Sequence, residues 1–275
     1  MDHYLLEVKN LNCRFEIERN LFSKNKYLHV LKNINFNLKK GSTLGIVGES
    51  GCGKSTLCRT ILSLNNKETG NIKWFSQDID QFSNKEFKNF RKKVQIIFQD
   101  PYGSLNPRMT IGNIISEPLE IYKKENDKKS KTLKVLDVME KVWLSDLLFN
   151  RFPHELSGGQ CQRVGIARSI INEPDVLICD EPVSSLDLSV QSQILDLLKS
   201  LKNKLNITMV FVSHDLAVVK SISDEVMVLK QGEIVEKSSA EEVFNNPKHR
   251  YTKKLISSVP KINDIGWITW KLNPK

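Results

Sequence analysis

The chain has 275 residues, 40% hydrophobic and 27% charged, enough for one large domain or for a core carrying a lobe. No run approaches the ~18 apolar residues of a membrane helix, and Met1-Asp2-His3-Tyr4 does not open a basic-then-apolar signal peptide, so a cytosolic chain is expected, with membrane work left to a spanning partner. The net charge of +9 fits nucleic acid, an anionic membrane surface, a phosphorylated ligand or simply a solvated lysine-rich face, but the densest run, Lys123 to Lys134, includes Glu125 and Asp127 and lacks the interleaved aromatics of a single-strand binder.

Along the chain, Ile34 to Leu38 alternates apolar and polar residues, which predicts a half-buried strand. Thr43 to Val47 reads as a buried strand running into a glycine loop. From Ser55 a helix is predicted, with Leu57, Ile61 and Leu64 at helical spacing. Val94 to Phe98 is a further strand ending at Gln99, and Asp100 to Pro107 is a loop by its Pro, Gly and Asn content. Thr132 to Leu148 reads as amphipathic, with Leu133, Leu136, Trp143 and Leu147 on one face, within a mostly helical lobe inserted over Ile111 to Phe152. Asp175 to Asp180 is a buried strand ending on a carboxylate. Leu186, Val190, Ile194, Leu197, Leu201 and Leu205 follow at helical spacing. Ile207 to Val212 ends at Ser213-His214-Asp215, and Val226 to Leu229 with Ile234 to Val235 makes a closing hairpin. Strands alternating with helices predict a mainly parallel sheet covered on both faces. The five cysteines have no paired spacing, which fits reduced thiols rather than a disulfide frame or a zinc site.

Gly48-Glu49-Ser50-Gly51-Cys52-Gly53-Lys54-Ser55 carries the strongest chemistry. Its glycines let the backbone curl so that N–H groups face phosphate oxygens, and the next helix adds the positive end of its dipole. Lys54 suits the β and γ phosphates, and the Ser55 hydroxyl suits Mg²⁺. Asp180 and Glu181 end a strand on the same side. The first fits the metal's water shell, the second the orientation of an attacking water. His214, just past another strand, suits contact with a γ-phosphate, although a lone histidine is more often a satisfied polar residue. Ser157, Gly158, Gly159 and Gln160 open another helix, where exposed N–H groups form a second anion site. One chain cannot easily bring both sites onto one γ-phosphate, so a head-to-tail dimer is expected.

Together these motifs resemble the ATP-binding-cassette (ABC) family over nearly the whole chain. The resemblance implies an α/β fold: a P-loop NTPase core with a mainly parallel sheet, an N-terminal antiparallel β subdomain and an inserted α-helical lobe at about 100–160. It makes residues 1–235 the ATP-binding domain and 236–275 a short, truncated C-terminal extension. Gly48 to Thr56 becomes the Walker A loop, Gln99 the loop glutamine that touches Mg²⁺ and senses the membrane partner, and Ser157 to Gln160 the signature acting in trans. Asp180 becomes a water-mediated Mg²⁺ contact and Glu181 the catalytic carboxylate. Ser184 to Asp187 resembles the dimer-contacting loop and His214 the switch histidine. Phe98 to Thr110, Pro153 to Arg163 and Asn246 to Leu255 are similar to the oligopeptide/dipeptide importer ATPases, nearest to the F-type subunits of oligopeptide systems. That implies ATP and Mg²⁺, two transmembrane permease subunits, a second ATPase (a heterodimer favoured over a homodimer), an extracytoplasmic solute-binding protein acting indirectly, and a peripheral place on the cytoplasmic face of the cell membrane. No nucleic acid is expected. His249-Arg250-Tyr251 departs from the more usual His-Pro-Tyr. The branch commonly continues into a cysteine-bearing tail, but no cysteine follows Cys179, so no iron–sulfur cluster is expected. Phe15 is the first candidate for stacking on adenine and Tyr27 the second. The alternatives are an importer ATPase for nickel or a glycan, and a soluble ABC protein acting on nucleic acid or ribosomes.

Overall fold

The computed structural model describes residues 4–18, 26–122 and 127–258. Its spine is a six-stranded sheet of β3 (Thr43–Val47), β6 (Val94–Ile97), β7 (Val176–Asp180), β8 (Thr208–Val212), β9 (Glu225–Lys230) and β10 (Glu233–Ser239). The order is β10-β9-β3-β8-β7-β6, parallel except for β10. β3, β7 and β8 are buried at every position, and their period-2 alternation divides them between two cores. Leu177, Cys179, Met209 and Phe211 join one cluster with the helical lobe. Val176, Ile178, Val210 and Val212 join the other, beneath a second sheet. That four-stranded antiparallel sheet has the order β2-β1-β4-β5, from β1 (Tyr4–Glu18), β2 (Lys26–Lys39), β4 (Thr69–Trp74) and β5 (Gln77–Asp78).

The helices are α1 (Lys54–Ile61), α2 (Asn84–Lys93), α3 (Ile111–Ile121), α4 (Lys128–Lys141), α5 (Gly158–Ile170), α6 (Leu188–Leu205), α7 (Leu216–Ile222), α8 (Ala240–Asn245) and α9 (Arg250–Ser257). None of the described helices is long and apolar enough to cross a membrane. The buried residues of α3, α4 and α5 form one continuous core with the sheet, so the lobe is welded to it rather than hung from a linker. The expected boundary after residue 235 falls inside β10, which pairs with β9 along its length. All five cysteines are free and buried.

Two readings of apolar spacing are corrected. α1 stops at Ile61, and Ser63 takes φ +56°, so Leu64 is turned out and 51% exposed rather than continuing the buried face. α4 stops at Lys141 and buries Val135, Val138 and Met139. Leu133, Trp143 and Leu147 are exposed, and only Leu136 of the expected stripe packs on the core. The cause is local: Trp143 sits at φ +58° just past the helix and Leu147 lies in a 3₁₀ turn, so the helical period ends before it reaches either.

Candidate active site

The strand, loop and helix expected around Lys54 are present as β3, residues 48–53 and α1. Gly51 and Gly53 have φ +76° and +108°, backbone that a side chain would strain. A Cβ on Gly48 would lie 2.2 Å from the Leu229 carbonyl oxygen, so glycine there lets the loop lie against β9. Gly232 N–H donates to the Cys52 carbonyl at 3.0 Å, which pins the loop again from behind. Lys54 is buried, and its ammonium donates to the carbonyls of Gly48 (2.9 Å) and Glu49 (3.0 Å). The lysine charge is thus held within its own loop, beside the first turn of α1.

β7 delivers two carboxylates to this loop. Asp180 Oδ1 accepts from the Ser55 hydroxyl at 2.8 Å. Burial raises the Asp180 pKa, with the neighbouring Glu181 charge adding to it and the Ser55 hydrogen bond opposing it. Glu181 stands at φ +51°, while its N–H still continues the ladder to the Val212 carbonyl at 3.0 Å. Left-handed backbone on a glutamate is the kind of local strain found at functional sites. Its carboxylate accepts from Gln99 Nε2 at 3.2 Å and lies 3.2 Å from His214 Nδ1. Two residues, each just past a strand end, therefore converge on one oxygen of a third, Glu181. Val30, Ser50, Gly51, Gly53, Lys54, Ser55, Thr56, Gln99 and Glu181 line a cavity of about 220 Å³.

The Ser55 hydroxyl, the Asp180 carboxylate and the Gln99 amide offer hard oxygen atoms, which suit Mg²⁺. Among the described residues no group of three or more His, Cys, Asp or Glu could hold a metal without help.

The two aromatic candidates part by register. Phe15 pairs with Leu28 and Glu16 with Tyr27. Phe15 lies two residues along β1 from the buried Cys13 and shares its face, and Cys13 Sγ lies 3.9 Å from the Thr60 hydroxyl of α1, the helix that follows the glycine loop. Phe15 is therefore on the loop's side. Tyr27 is on the other face, under the Arg14 guanidinium at 4.4 Å.

Ser157 to Gln160 lie elsewhere. Ser157, Gly159 and Gln160 line a separate cavity with Trp143, Leu147, Arg163 and Gln193. Ser157 caps α5 in a reciprocal box: its hydroxyl accepts from Gln160 N–H at 3.3 Å, and Gln160 Oε1 accepts from Ser157 N–H at 2.9 Å. Gly159 of this helix start packs inward. It is buried, and a Cβ there would fall 2.5 Å from Val190 Cγ1, so close packing on α6 requires glycine.

Sequence reasoning missed the ties between these parts. The Tyr102 hydroxyl donates to the Leu156 carbonyl at 3.0 Å, and Arg168 donates to the Ser104 carbonyl at 2.7 Å. The segment after Gln99 is thereby bonded to the signature side. Tyr251, 202 positions from Glu49, accepts the Glu49 N–H on its hydroxyl at 3.3 Å. Composition of the 100–107 loop gave its irregularity but not its partners. No sequence signal marked Tyr251 beyond its place in a similar motif.

Comparison with known proteins agrees with this geometry. Residues 31–184 match the family described as ABC transporter, and residues 235–270 the family described as oligopeptide/dipeptide transporter, C-terminal region. The chain is 51% identical over 259 residues to the oligopeptide transport ATP-binding protein OppF of Haemophilus influenzae, covering 93% of this chain and 78% of that one. It is 44% identical to the dipeptide transport ATP-binding protein DppF of Escherichia coli, covering 94% and 77%. Among solved structures it resembles the dimeric, post-hydrolysis ATP-binding cassette MJ0796 bound to ADP and Pi (TM-score 0.76, 28% identity, 86% of this chain and 98% of that one). It equally resembles cbiO1 of Clostridium perfringens, part of the ABC transporter complex cbiONQ (TM-score 0.76, 30% identity, 96% and 98%).

Proposed function

Because this chain belongs to the ABC transporter family, in its oligopeptide/dipeptide branch, we propose that it is the ATP-hydrolysing subunit that powers a membrane importer of oligopeptides or dipeptides. The observation that carries the reading is the single cavity where the glycine loop, Gln99 and Glu181 meet, backed by the Ser55–Asp180 hydrogen bond. The C-terminal match adds the peptide branch.

In this reading ATP phosphates enter the loop of residues 48–56. Lys54 leaves the carbonyls of Gly48 and Glu49 and donates to phosphate oxygens instead, trading neutral acceptors for charged ones. Phe15 stacks on the adenine. Ser55 and Gln99, with Asp180 acting through water, would hold Mg²⁺, which when bound would supply positive charge at the β and γ phosphates. Glu181 turns from its contacts with Gln99 and His214 to orient the attacking water, and His214 then faces the γ-phosphate. Ser157 to Gln160 sit on a different cavity of the same chain, which supports their use on a partner's ATP in a head-to-tail pair. The partner is a second ATPase, a heterodimer being favoured. Two permease subunits supply the membrane path, a solute-binding protein acts from the far side, and the chain sits peripherally on the cytoplasmic face.

The test is a tagged pull-down from detergent-solubilised membranes with mass spectrometry. Two polytopic membrane proteins and a second ATPase are expected. Recovery of only soluble or nucleic-acid-bound partners overturns the transport reading.

A further inference from the structure

The glycine loop is held from outside as well as from within. Three contacts reach its back: the Leu229 carbonyl against Gly48, Gly232 N–H to the Cys52 carbonyl, and the Tyr251 hydroxyl on Glu49 N–H. The first two come from β9 and the β9–β10 turn. The third comes from α9, within the region that marks the peptide branch.

α9 is built to hold that hydroxyl in place. Glu236 on β10 accepts the backbone N–H groups of Lys248 and His249 at 2.8 and 3.0 Å, fixing the approach to the helix. His249 is the N-cap, its Nδ1 accepting from Tyr251 N–H at 3.1 Å. Arg250 is the first helical residue, where a proline is also well accommodated, so the departure from His-Pro-Tyr leaves cap and tyrosine intact. The Tyr251 ring is 7% exposed and lies under the Lys230 ammonium at 5.0 Å. Tyr251 therefore has a fixed ring, a fixed backbone and one hydroxyl placed on a loop amide.

We propose that Tyr251 is a positioning residue for nucleotide binding: its hydroxyl sets the turn at Glu49 so that the loop's following amides and Lys54 meet the phosphates in register. The C-terminal segment is then a backstop of the ATP site, and a change in how α9 sits changes the affinity for nucleotide. This rests on the ATP-binding reading above. Loss of one partly buried hydrogen bond sets the scale, about three- to tenfold in affinity.

The experiment is Mg-ATP titration of the purified chain, and KM and kcat of the assembled transporter, for wild type, Tyr251→Phe, Glu236→Gln and Lys54→Ala. Tyr251→Phe keeps the ring and the Lys230 contact and removes only the hydroxyl. It is expected to weaken ATP binding about three- to tenfold and to raise KM alike, with kcat and nucleotide-free thermal unfolding near wild type. Glu236→Gln should move affinity the same way by less. Affinity unchanged in folded Tyr251→Phe, or a fall in kcat with KM untouched, overturns the proposal. Should Tyr251→Phe not fold, Glu236→Gln decides by the same criterion. Lys54→Ala separates the two levels: if it loses ATP while Tyr251→Phe does not, only this inference fails, whereas ATP binding unaltered by Lys54→Ala removes the ATP-site reading itself.

Discussion

The glycine loop and the signature both place glycines at a helix start, yet they use them for different physical ends. In the loop, Gly51 and Gly53 are needed for their dihedral angles, φ +76° and +108°, which no other residue adopts cheaply. In the signature, Gly159 is helical and needed for space, because Val190 occupies the volume of a Cβ. The loop meets Ser55, Asp180, Gln99 and Glu181 within its own chain. The signature is capped by its own Ser157 and Gln160 and borders a cavity with none of those groups. One half is a cradle that needs only ligand. The other is a rigid helix end that, in the proposed function, faces the ATP of a second molecule.

The largest expected effect tests the chemistry of the first half. Glu181→Gln keeps ATP binding while turnover falls about 10²- to 10⁴-fold, the usual contribution of a positioned base. Steady-state ATPase beside equilibrium binding checks it, and wild-type turnover would remove Glu181 from its role. Next, Lys54→Ala weakens nucleotide binding about 10- to 100-fold, as expected for losing charge-assisted hydrogen bonds. Calorimetric titration reads this directly, and an unaltered affinity would dissolve the contrast between the two glycine motifs. Phe15→Ala costs about 1–3 kcal/mol of base stacking, whereas Tyr27→Ala, on the far face, leaves ATP affinity unchanged. The reverse result would move the adenine to the other side of the hairpin. Smallest is Ser157→Ala. It removes a helix cap worth about 1 kcal/mol of stability and leaves the single chain's ATP affinity intact. Turnover of the assembled transporter falls, and equal losses in the chain alone would argue against a role in trans.

Strand, loop and helix around Lys54 could be read directly, because residue periodicity and glycine spacing are local properties. So could β7 with the carboxylates at its end, since Val176 to Cys179, buried on both faces, is an unbroken apolar run up to Asp180. The lobe was less legible. Leu133, Leu136, Trp143 and Leu147 match a helical period on paper, but the chain leaves the helix at Lys141, and a spacing rule does not sense where a helix stops. The sequence ranks Phe15 ahead of Tyr27, but only cross-strand register shows that the two lie on opposite faces of the hairpin. The Tyr251–Glu49 and Arg168–Ser104 bonds join distant segments through backbone groups, which carry no residue-type signature.

The division of β7 between two cores has a consequence for how the site tolerates change. Val176 and Ile178 answer to the antiparallel sheet, Leu177 and Cys179 to the helical lobe. Sliding the strand by one residue, about 3.3 Å, would hand every side chain to the wrong neighbour. The carboxylates at its end cannot drift by fractions toward or away from the phosphates. They sit on a notched ratchet, cut by two oily gears of opposite phase, and evolution can retune the site by exchanging the teeth but not by sliding the rack.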